Sequence, residues 1–409
     1  MAATALKSTS YYRYPFTDSM HSSRNVLSAR VVLLTNFIPP YRLPLYEAIS
    51  DRVEGFTVLV STLVEGNRSW RADSGHLDVR VQRGLTVPSR WRHPAGFTDK
   101  SYVHVPWDTI PQLRELRPDV VIAVELGARS LLSALYCLGH SPARLILWAT
   151  LSERSEDGRG RLRHAVRQWL LERTDRVIVN GASGQRYISR FGVPSSLIDR
   201  VPYVALPGFL DTTTAVAIGR PVRHLLYVGQ LSERKGLLPF LRCLNAWAGA
   251  HPAETITLTV AGSGPLQAAI EGFERYENLA IDVLGDRDSH LLPALFARAD
   301  ALVFPTLADE WGVVVNEALA SGVPVLGSIH SQAVEELCKE GETGWLFDPE
   351  DDQSAASAIS RALATDPSTL AAMREHARAL ATTLTPGWAA DRVVGGIKAA
   401  LAQDPRRRR

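Results

Sequence analysis

The segment 301–327 constrains the fold of this 409-residue chain more than any other stretch, because it predicts a strand, a loop, a helix and a second strand in succession. The apolar run at 301–304 is typical of a buried strand. In such a unit the loop and the helix N-terminus lie at the carboxyl edge of a parallel sheet, where free N–H groups and the helix dipole favour an anion. Asp309 precedes the predicted helix and Glu317 lies inside it, so both carboxylates could reach the hydroxyl groups of a ligand whose phosphates bind the helix terminus.

From Asp309 the segment reads D-E-W-G-V-V-V-N-E-A-L-A-S-G-V-P-V. It resembles the signature of the family 4 retaining glycosyltransferases, in which an acidic residue, seven others and a glutamate precede a small-residue helix and G-V-P-V. The resemblance implies that Asp309 holds hydroxyls of a donor sugar and that Glu317 holds a ribose. It also implies that main-chain N–H groups of Gly312, Val313 and Val314 lie near the sugar and diphosphate. Asp309 stands where the family has a glutamate, and two exposed carboxylates beside an ordinary helix are the alternative explanation.

The composition indicates a folded soluble protein, since 45% of the residues are hydrophobic and 22% are charged. The length predicts two domains rather than one core. No uninterrupted apolar run approaches the roughly 20 residues of a membrane-spanning helix. Residues 1–29 lack the features of a secretory signal and are predicted to be a disordered extension. Three scattered cysteines offer neither a metal-binding spacing nor a disulfide framework, which favours a reducing cytoplasm: Cys137, Cys243 and Cys338.

The charge is distributed unevenly along the chain. Residues 1–200 contain 27 Lys+Arg and 18 Asp+Glu, whereas residues 201–409 contain 18 and 25. The basic first half favours an acidic partner or peripheral contact with a membrane surface. Nucleic acid is a weaker interpretation, because no basic module with interleaved aromatic residues is present. The segment 159–173 predicts a basic amphipathic helix, which suits a membrane surface or, more commonly, packing on a sheet.

A glycine-led loop, G-Q-L-S-E-R-K-G, follows the predicted strand 224–228. A glycine turn after a first strand lets backbone N–H groups approach a pyrophosphate, and a lysine supplies a compact positive charge. The loop resembles the family's G-R-L-x-x-x-K-G motif, whose arginine and lysine bind the donor diphosphate. The resemblance implies this role for Lys235 and a turn role for Gly229. It places Gln230 at the arginine position, with Arg234 as the candidate substitute.

Two more glycine turns complete the predicted donor site. The G-S-G-P turn that begins at Gly262 follows the predicted strand 255–261, and the resemblance implies that its backbone lies close to the nucleotide. Gly285 and Arg287 follow the next strand, where family members bind the nucleobase largely through main-chain groups. The identity of the base therefore cannot be read from side chains.

The acceptor side is predicted to lie in the first half of the chain. The loop P-P-Y-R-x-P resembles a variant of the family's cleft-facing loop, so Tyr41 and Arg42 are candidates for contact with acceptor or diphosphate. A role in fixing the entry of the next helix explains them equally well. In much of the family a histidine follows the strand that is 145–148 here, and this chain has none. Thr150 and Glu153 are polar groups available there, and Glu153 is the candidate for contact with the acceptor hydroxyl.

The predicted fold is α/β, with two Rossmann-like domains facing across a cleft (the GT-B architecture) and a C-terminal helix that crosses back to the first domain. Within the first domain, residues 83–102 are predicted to be irregular and either to border the acceptor cleft or to form a solvated loop. The predicted organisation in chain order is an extension (1–29), an acceptor domain (30–205), a linker (206–221), a donor domain (222–385), a return helix (386–405) and a basic tail (406–409).

The resemblance implies a retaining glycosyltransferase that moves a hexose from a nucleotide-diphosphate sugar to a hydroxyl of a glycan, a lipid-linked sugar or a small-molecule glycoside. Such an enzyme is typical of polysaccharide or glycoconjugate biosynthesis. Lys235, Asp309 and Glu153 are the predicted catalytic residues. No cofactor and no metal is predicted, because the family generally manages without one. Two alternatives stay open: a sugar-nucleotide epimerase or phosphorylase of the same fold, and a non-catalytic nucleotide-sugar-binding protein.

Overall fold

The computed structural model describes residues 26–63, 73–139, 143–210 and 221–403. The predicted N-terminal extension lies outside these ranges except for residues 26–29. The basic tail 406–409 and residues 211–220 of the predicted linker also lie outside the described residues. Within the described ranges, none of the helices is both long enough and apolar enough to span a bilayer.

The first half of the chain forms a parallel sheet and a separate hairpin. Its strands are β1 (Leu27–Thr35), β2 (Val53–Val60), β3 (Asp78–Val81), β4 (Gly84–Arg92), β5 (Thr98–Pro106), β6 (Val120–Val124), β7 (Arg144–Ala149), β8 (Arg176–Val179) and β9 (Ile198–Arg200). The parallel sheet has the order β3-β2-β1-β6-β7-β8-β9. Strands β6 and β7 are buried along their whole length, as expected where both faces of a parallel sheet are covered.

Five helices accompany this first sheet: α1 (Leu43–Ser50), α2 (Thr109–Leu116), α3 (Ala128–Gly139), α4 (Arg161–Leu171) and α5 (Ala182–Ser189). The strand order reverses between β1 and β6, because the chain adds β2 and β3 on one side and β6 to β9 on the other. Such a switch point leaves a crevice at the carboxyl ends of the two strands, where ligands of open α/β sheets bind.

The second half forms a second parallel sheet in the order β12-β11-β10-β13-β14-β15. Its strands are β10 (His224–Val228), β11 (Ile256–Ala261), β12 (Leu279–Gly285), β13 (Ala301–Phe304), β14 (Val325–Ser328) and β15 (Gly344–Phe347). Its helices are α6 (Leu237–Ala250), α7 (Gln267–Glu271), α8 (Leu292–Phe296), α9 (Val313–Ala320), α10 (Gln332–Leu337), α11 (Asp352–Leu363) and α12 (Pro367–Thr383). The switch point of this sheet lies between β10 and β13.

The last helix, α13 (Pro386–Leu401), belongs to the core of the first sheet. Thr385 caps its N-terminus by accepting a hydrogen bond from the Trp388 N–H at 3.1 Å, and a proline at the first position costs no hydrogen bond. Val393 and Ile397 are buried against the side of the first sheet that also carries α1. The predicted return of the C-terminal helix to the first domain is therefore confirmed.

The prediction of irregular structure for residues 83–102 is wrong. Strands β4 and β5 pair there as an antiparallel hairpin, whose turn is closed by the N–H of His93 donating to the carbonyl of Phe97 at 2.9 Å. Pro88 lies within β4, which is an edge strand of a two-stranded sheet, and edge strands are where sheets tolerate a proline. Strand β5 contacts the turn 233–235 of the second half, so the hairpin borders the cleft between the two sheets.

Helix α4 forms as predicted and packs Val166, Trp169 and Leu170 against the core of the first sheet, but two of its residues depart from a simple amphipathic pattern. Arg167, expected on the exposed basic face, is buried and pairs with Glu156. Leu162, expected on the apolar face, is 81% exposed. The carboxylate of Glu156, in the turn before α4, pairs with Arg167 inside the protein. This pairing overrides the hydrophobic periodicity at Arg167, because a buried arginine needs an anionic partner.

Candidate active site

The carboxyl ends of β10, β11 and β12 meet in tight glycine turns. Gly262 has φ 144°, and a Cβ built on it would lie 1.9 Å from the carbonyl oxygen of Gly229. The N–H of Gly262 donates to the carbonyl of Gly285 at 2.9 Å. Only glycine allows two backbones to approach this closely, so the turns leave main-chain groups at the sheet edge without covering side chains.

Lys235 ends a short 3-10 turn after β10 and reaches across the switch point to the loop after β13. Its ammonium is hydrogen-bonded to the Asp309 carboxylate, and a guanidinium nitrogen of Arg234 lies 3.7 Å from the same carboxylate oxygen. Burial lowers the pKa of Lys235, and the charge of Asp309 opposes this shift. Burial also acts to raise the pKa of Asp309, but the charges of Lys235 and Arg234 outweigh it and hold that pKa below its usual value. The two groups therefore form a charged pair.

Helix α9 begins directly after this pair. Gly312, its N-cap, has φ 104°, and no side chain caps the helix, so its first N–H groups remain open to a ligand. Val313 and Val314 are half-buried in the first turn of the helix.

Glu317 lies one turn further along α9, and burial raises the pKa of its carboxyl group to about 7. Within the described part of the chain, no hydrogen bond or ion pair reaches this carboxyl group. Glu317 is therefore a half-buried carboxyl group with its hydrogen-bonding capacity free.

Glu310 was not among the predicted site residues, although it stands next to Asp309 in the motif. The Asp309 carboxylate is paired with Lys235, whereas the Glu310 side chain is exposed. The surrounding protein partly desolvates the Glu310 carboxyl group, and this desolvation raises the pKa of Glu310 to about 7. The neighbouring negative charges of Asp309 and Glu125 act in the same direction.

The two halves of the chain touch at the loop that carries Asp309. The Ser152 hydroxyl donates to the Asp309 carbonyl at 2.9 Å. Gln332 donates to the carbonyls of Leu151 at 3.1 Å and of Glu310 at 2.7 Å, and its own oxygen accepts from the Gly184 N–H at 2.7 Å. No sequence motif marked Gln332, because its partners come from three distant segments.

The structure gives the two predicted acceptor-side residues of the first loop different surroundings. The Arg42 guanidinium is buried 3.7 Å from the ring centroid of Tyr203 and 4.6 Å from that of Trp148. Tyr41 is half-buried, and its ring centroid lies 5.7 Å from that of Tyr203. Arg42 thus packs between aromatic rings, while Tyr41 stays partly open.

Among the contacts of the described residues, no hydrogen bond or ion pair joins Glu153 to Lys235 or to the Asp309 carboxylate. The Glu153 carboxylate is paired with Arg186 at 2.7 Å and with Arg190. It lines a separate cavity of about 520 Å³ between the two halves, together with His330 and Glu335. Thr150 is half-buried just beyond the end of β7.

The remaining predicted donor residues lie at the rim of the site. Gln230 and Arg287 are exposed, after β10 and β12 respectively. The carbonyl of Gln230 accepts a hydrogen bond from the Tyr227 hydroxyl at 2.8 Å, which holds the loop that follows Gly229.

One group of potential metal ligands occurs among the described residues, formed by His330, Asp348 and Glu350, whose ligand atoms lie within 4.8 Å of one another. A guanidinium nitrogen of Arg154 lies 2.7 Å from the imidazole of His330 and 3.2 Å from the carboxylate of Glu350. The guanidinium of Arg154 therefore already supplies positive charge next to these potential ligands.

Two family models match the chain. The model described as "Glycosyl transferases group 1" matches residues 222–365, and the model described as "Glycosyl transferase 4-like domain" matches residues 38–204. The chain belongs to the family 4-like glycosyltransferases of the GT-B fold. The matched ranges contain the Lys235 loop, the motif from Asp309 to Glu317, and the first-domain loops after β1 and β6.

Curated relatives include a glycogen synthase of Mycobacterium tuberculosis, 33% identical over 228 residues, which are 54% of this chain and 52% of that protein. A D-inositol 3-phosphate glycosyltransferase of Paenarthrobacter aurescens is 26% identical over 48% of this chain and 50% of its own length. The chain thus spans about half the length of these curated relatives.

Solved structures with the same fold include HepE of Anabaena in complex with UDP, with a TM-score of 0.66 and 18% identity over 90% of this chain and 99% of that one. HepE with UDP-glucose has a TM-score of 0.63 and 17% identity over the same shares of the two chains. Sucrose-phosphate synthase of Thermosynechococcus elongatus has a TM-score of 0.62 and 16% identity over 90% of this chain and 98% of that one. These likenesses show two parallel-sheet domains in the GT-B arrangement.

Proposed function

We propose that this protein is a retaining glycosyltransferase that moves a hexose from a nucleotide-diphosphate sugar to the hydroxyl of a sugar, glycan or lipid-linked acceptor. The observation that carries the proposal is the meeting of Lys235, the uncapped N-terminus of α9 and the free carboxyl of Glu317 at one switch point. Lys235 and the helix terminus supply positive charge for a diphosphate, and the Glu317 carboxyl group can accept hydrogen bonds from hydroxyl groups.

The hard step of such a transfer is departure of the nucleoside diphosphate, on which negative charge develops. Lys235 and the N–H groups of α9 stabilise that charge, because the fold holds them where the diphosphate would bind. When the diphosphate enters, it replaces Asp309 as the nearest anion of Lys235. Asp309 is then free to accept a hydrogen bond from the donor sugar, as the family resemblance implies.

Glu317 is assigned to the ribose. A carboxylate accepts hydrogen bonds from two adjacent hydroxyls, and Glu317 lies a turn beyond the diphosphate position on the same helix. The backbone of the turns at Gly262 and Gly285 is assigned to the nucleoside. Uracil is the base to test first, since HepE, a protein with the same fold, has been solved in complex with UDP and with UDP-glucose.

The proposed reaction needs no metal ion, because Lys235, Arg234 and the α9 dipole supply positive charge where the diphosphate would bind. The proposed site of action is the cytoplasm, with peripheral membrane contact through the basic first half as an option for a lipid-linked acceptor. Participation in polysaccharide or glycoconjugate biosynthesis follows from the same proposal.

Binding of the donor is tested by thermal unfolding with UDP, GDP, ADP, dTDP and their sugar conjugates, because a ligand of the folded state raises its melting temperature. We expect one nucleotide family to raise Tm, and we expect Lys235→Ala and Glu317→Ala to abolish the rise. Lys339→Ala is the matched control, since Lys339 is an exposed lysine of the same half and should leave the rise unchanged. No rise with any nucleotide would refute the donor site.

A non-catalytic nucleotide-sugar-binding protein is the second candidate, favoured by the pairing of Asp309 with Lys235 and by the exposed Gln230 at the family's arginine position. Incubation of the bound donor with a panel of glycosides, followed by mass spectrometry, separates the two. A glycosylated product supports the transferase. Tight donor binding without release of nucleotide over hours would support the binding protein instead.

A further inference from the structure

Glu125 has a backbone conformation that its side chain makes unfavourable. Its φ is 68°, and only one other non-glycine residue of the described chain, Arg117, has a positive φ. Arg117 is the C-cap of α2, where a left-handed residue is common. Glu125 caps no helix and directly follows β6 at the carboxyl edge of the first sheet. Left-handed backbone at a non-glycine residue costs free energy, so it persists only where surrounding contacts enforce it.

Such contacts are present at Glu125. Its N–H donates to the carbonyl of Trp148 at 2.8 Å, and its carbonyl accepts from the Ser130 hydroxyl. The side-chain amide of Asn36 lies 3.3 Å from both carboxylate oxygens, and Arg129 in turn donates to the amide oxygen of Asn36. The fold therefore fixes both the backbone and the carboxylate of Glu125.

The position of Glu125 is that of a ligand site. Asn36 follows β1 and Glu125 follows β6, so the pair lies at the switch point of the first sheet, where α/β folds bind ligands. The Glu125 side chain is exposed. Glu310 lies across the cleft from Glu125. Desolvation raises the pKa of Glu310, and the negative charge of Glu125 makes a smaller contribution in the same direction.

A packed cluster of aromatic rings connects the two halves of the chain near these carboxylates. The ring of Tyr203 lies 5.7 Å from that of Tyr41 and 5.8 Å from that of Trp311, measured between centroids. Sugar hydroxyls can donate hydrogen bonds to the carboxylates, and the half-buried ring of Tyr41 offers apolar surface to the C–H face of a sugar. Trp311 is buried and Arg42 covers one face of Tyr203, so these two rings support Tyr41 from behind.

We propose that Glu125 is the residue that positions the acceptor, by accepting hydrogen bonds from hydroxyls of an uncharged sugar that lies between it and Glu310. Among the residues that the structure describes, no ion pair reaches Glu125. Such a carboxylate accepts hydrogen bonds and repels anions, so the group bound there is a polyol and not a phosphate or carboxylate. Glu153 is less suited to this role, because Arg186 and Arg190 already pair with it. The inference rests on the proposed transferase function and names the chemical class of its acceptor.

The test uses three substitutions at Glu125 and one control. Glu125→Gly and Glu125→Asn remove the carboxylate and tolerate positive φ, so each should raise Tm of the free protein by about 1–4 °C. Glu125→Gln removes the charge and keeps the unfavourable backbone, so it should not raise Tm. Arg117→Gly is the control, because it relieves the other left-handed residue, which lies far from the proposed subsite. This substitution should raise Tm without changing glycoside binding.

Binding is measured by saturation-transfer NMR with methyl α-glucopyranoside, methyl α-mannopyranoside and methyl α-galactopyranoside, with UDP present, against the corresponding hexose phosphates. We expect the wild-type protein to bind at least one neutral glycoside and none of the phosphates, and we expect each Glu125 variant to bind it at least tenfold more weakly. The stabilisation by UDP should be unchanged in all variants, because its site lies on the second sheet.

Equal glycoside binding by wild-type protein and Glu125→Gln would overturn the inference, as would a wild-type protein that binds only the phosphates or none of the probes. A fall in Tm for both Glu125→Gly and Glu125→Asn would also overturn it, because Glu125 would then be a structural residue. Failure of the proposed donor site gives a different result: UDP would leave Tm unchanged while the glycoside still bound in a Glu125-dependent manner.

Discussion

Glu317 lies in the proposed donor site, and its titration should be measurable through the pH dependence of protein stability. Burial raises its pKa in the folded protein from 4.5 to about 7. The folded state therefore binds more protons than the unfolded state between these values, and stability falls as the pH rises through this window. Glu317→Gln stays uncharged, so we expect its Tm relative to wild type to rise between about pH 5 and about pH 8.

The comparison is made by thermal unfolding of both proteins at several pH values without ligand. Other groups titrate equally in the two proteins and cancel in the difference. A Tm difference that stays constant across this range would mean that Glu317 ionises as freely in the folded protein as in the unfolded chain.

Asp309 neutralises Lys235 when no ligand is bound. In Asp309→Asn the ammonium keeps its buried position without this anion, and breaking such a pair costs about 3–5 kcal/mol of unfolding free energy. Urea denaturation measures this loss. Glu342→Gln, which removes the exposed partner of Lys339, is the control and should change stability by less than about 0.5 kcal/mol. Equal effects of the two substitutions would contradict the pairing seen in the structure.

Among the elements, α13 contains two adjacent glycines with opposite environments. A Cβ at Gly395 would meet no atom within 4 Å, whereas a Cβ at Gly396 would lie 2.8 Å from a carboxylate oxygen of Asp199. Gly395→Ala should therefore stabilise the protein by about 0.5–1 kcal/mol, because alanine favours a helix more than glycine does. Gly396→Ala should destabilise it, because Asp199 is held by Arg176 through two hydrogen bonds of 2.7 Å.

Thermal unfolding of the two variants checks this prediction, and each serves as the control for the other. If both substitutions raised Tm, α13 would not pack on the first sheet as the structure has it.

At the scale of the whole molecule, Gln332 is the side chain that connects both halves most directly. Gln332→Ala removes its hydrogen bonds to Leu151, Gly184 and Glu310, and we expect the domains to separate more readily. Small-angle scattering should show a larger radius of gyration, and the Gly184 amide should exchange faster. The donor residues lie on the second sheet alone, so any stabilisation by UDP should persist.

Gln267→Ala is the control for this experiment. Gln267 lies on α7 of the second half and donates to the exposed Glu271 of the same helix, so its removal should leave both measurements unchanged. A compact Gln332→Ala protein with unchanged exchange at Gly184 would show that other contacts, such as the pair of Arg186 with Glu335, suffice to hold the domains together.

Much of the fold could be predicted because its signals are local. The runs at 224–228 and 301–304 are buried strands with these same limits, and the glycine turns after β10, β11 and β12 stand where the spacing placed them. Elements whose structure depends on a partner were predicted less well. The hairpin of β4 and β5 forms by pairing two segments with each other, and α4 buries Arg167 because Glu156 pairs with it.

The sequence by itself determined the strands of the two parallel sheets and the order of the loops at the donor edge, because hydrophobic runs, glycines and prolines act through neighbouring residues. The return of the last helix was implied by the family resemblance. Only the tertiary structure decided which carboxylates remain free. Asp309 is paired with Lys235 and Glu153 with two arginines, whereas no ion pair within the described ranges reaches Glu125, Glu310 or Glu317. The physical reason is that the charge partners of a carboxylate are set by segments far apart in the chain, which meet only when both domains have folded.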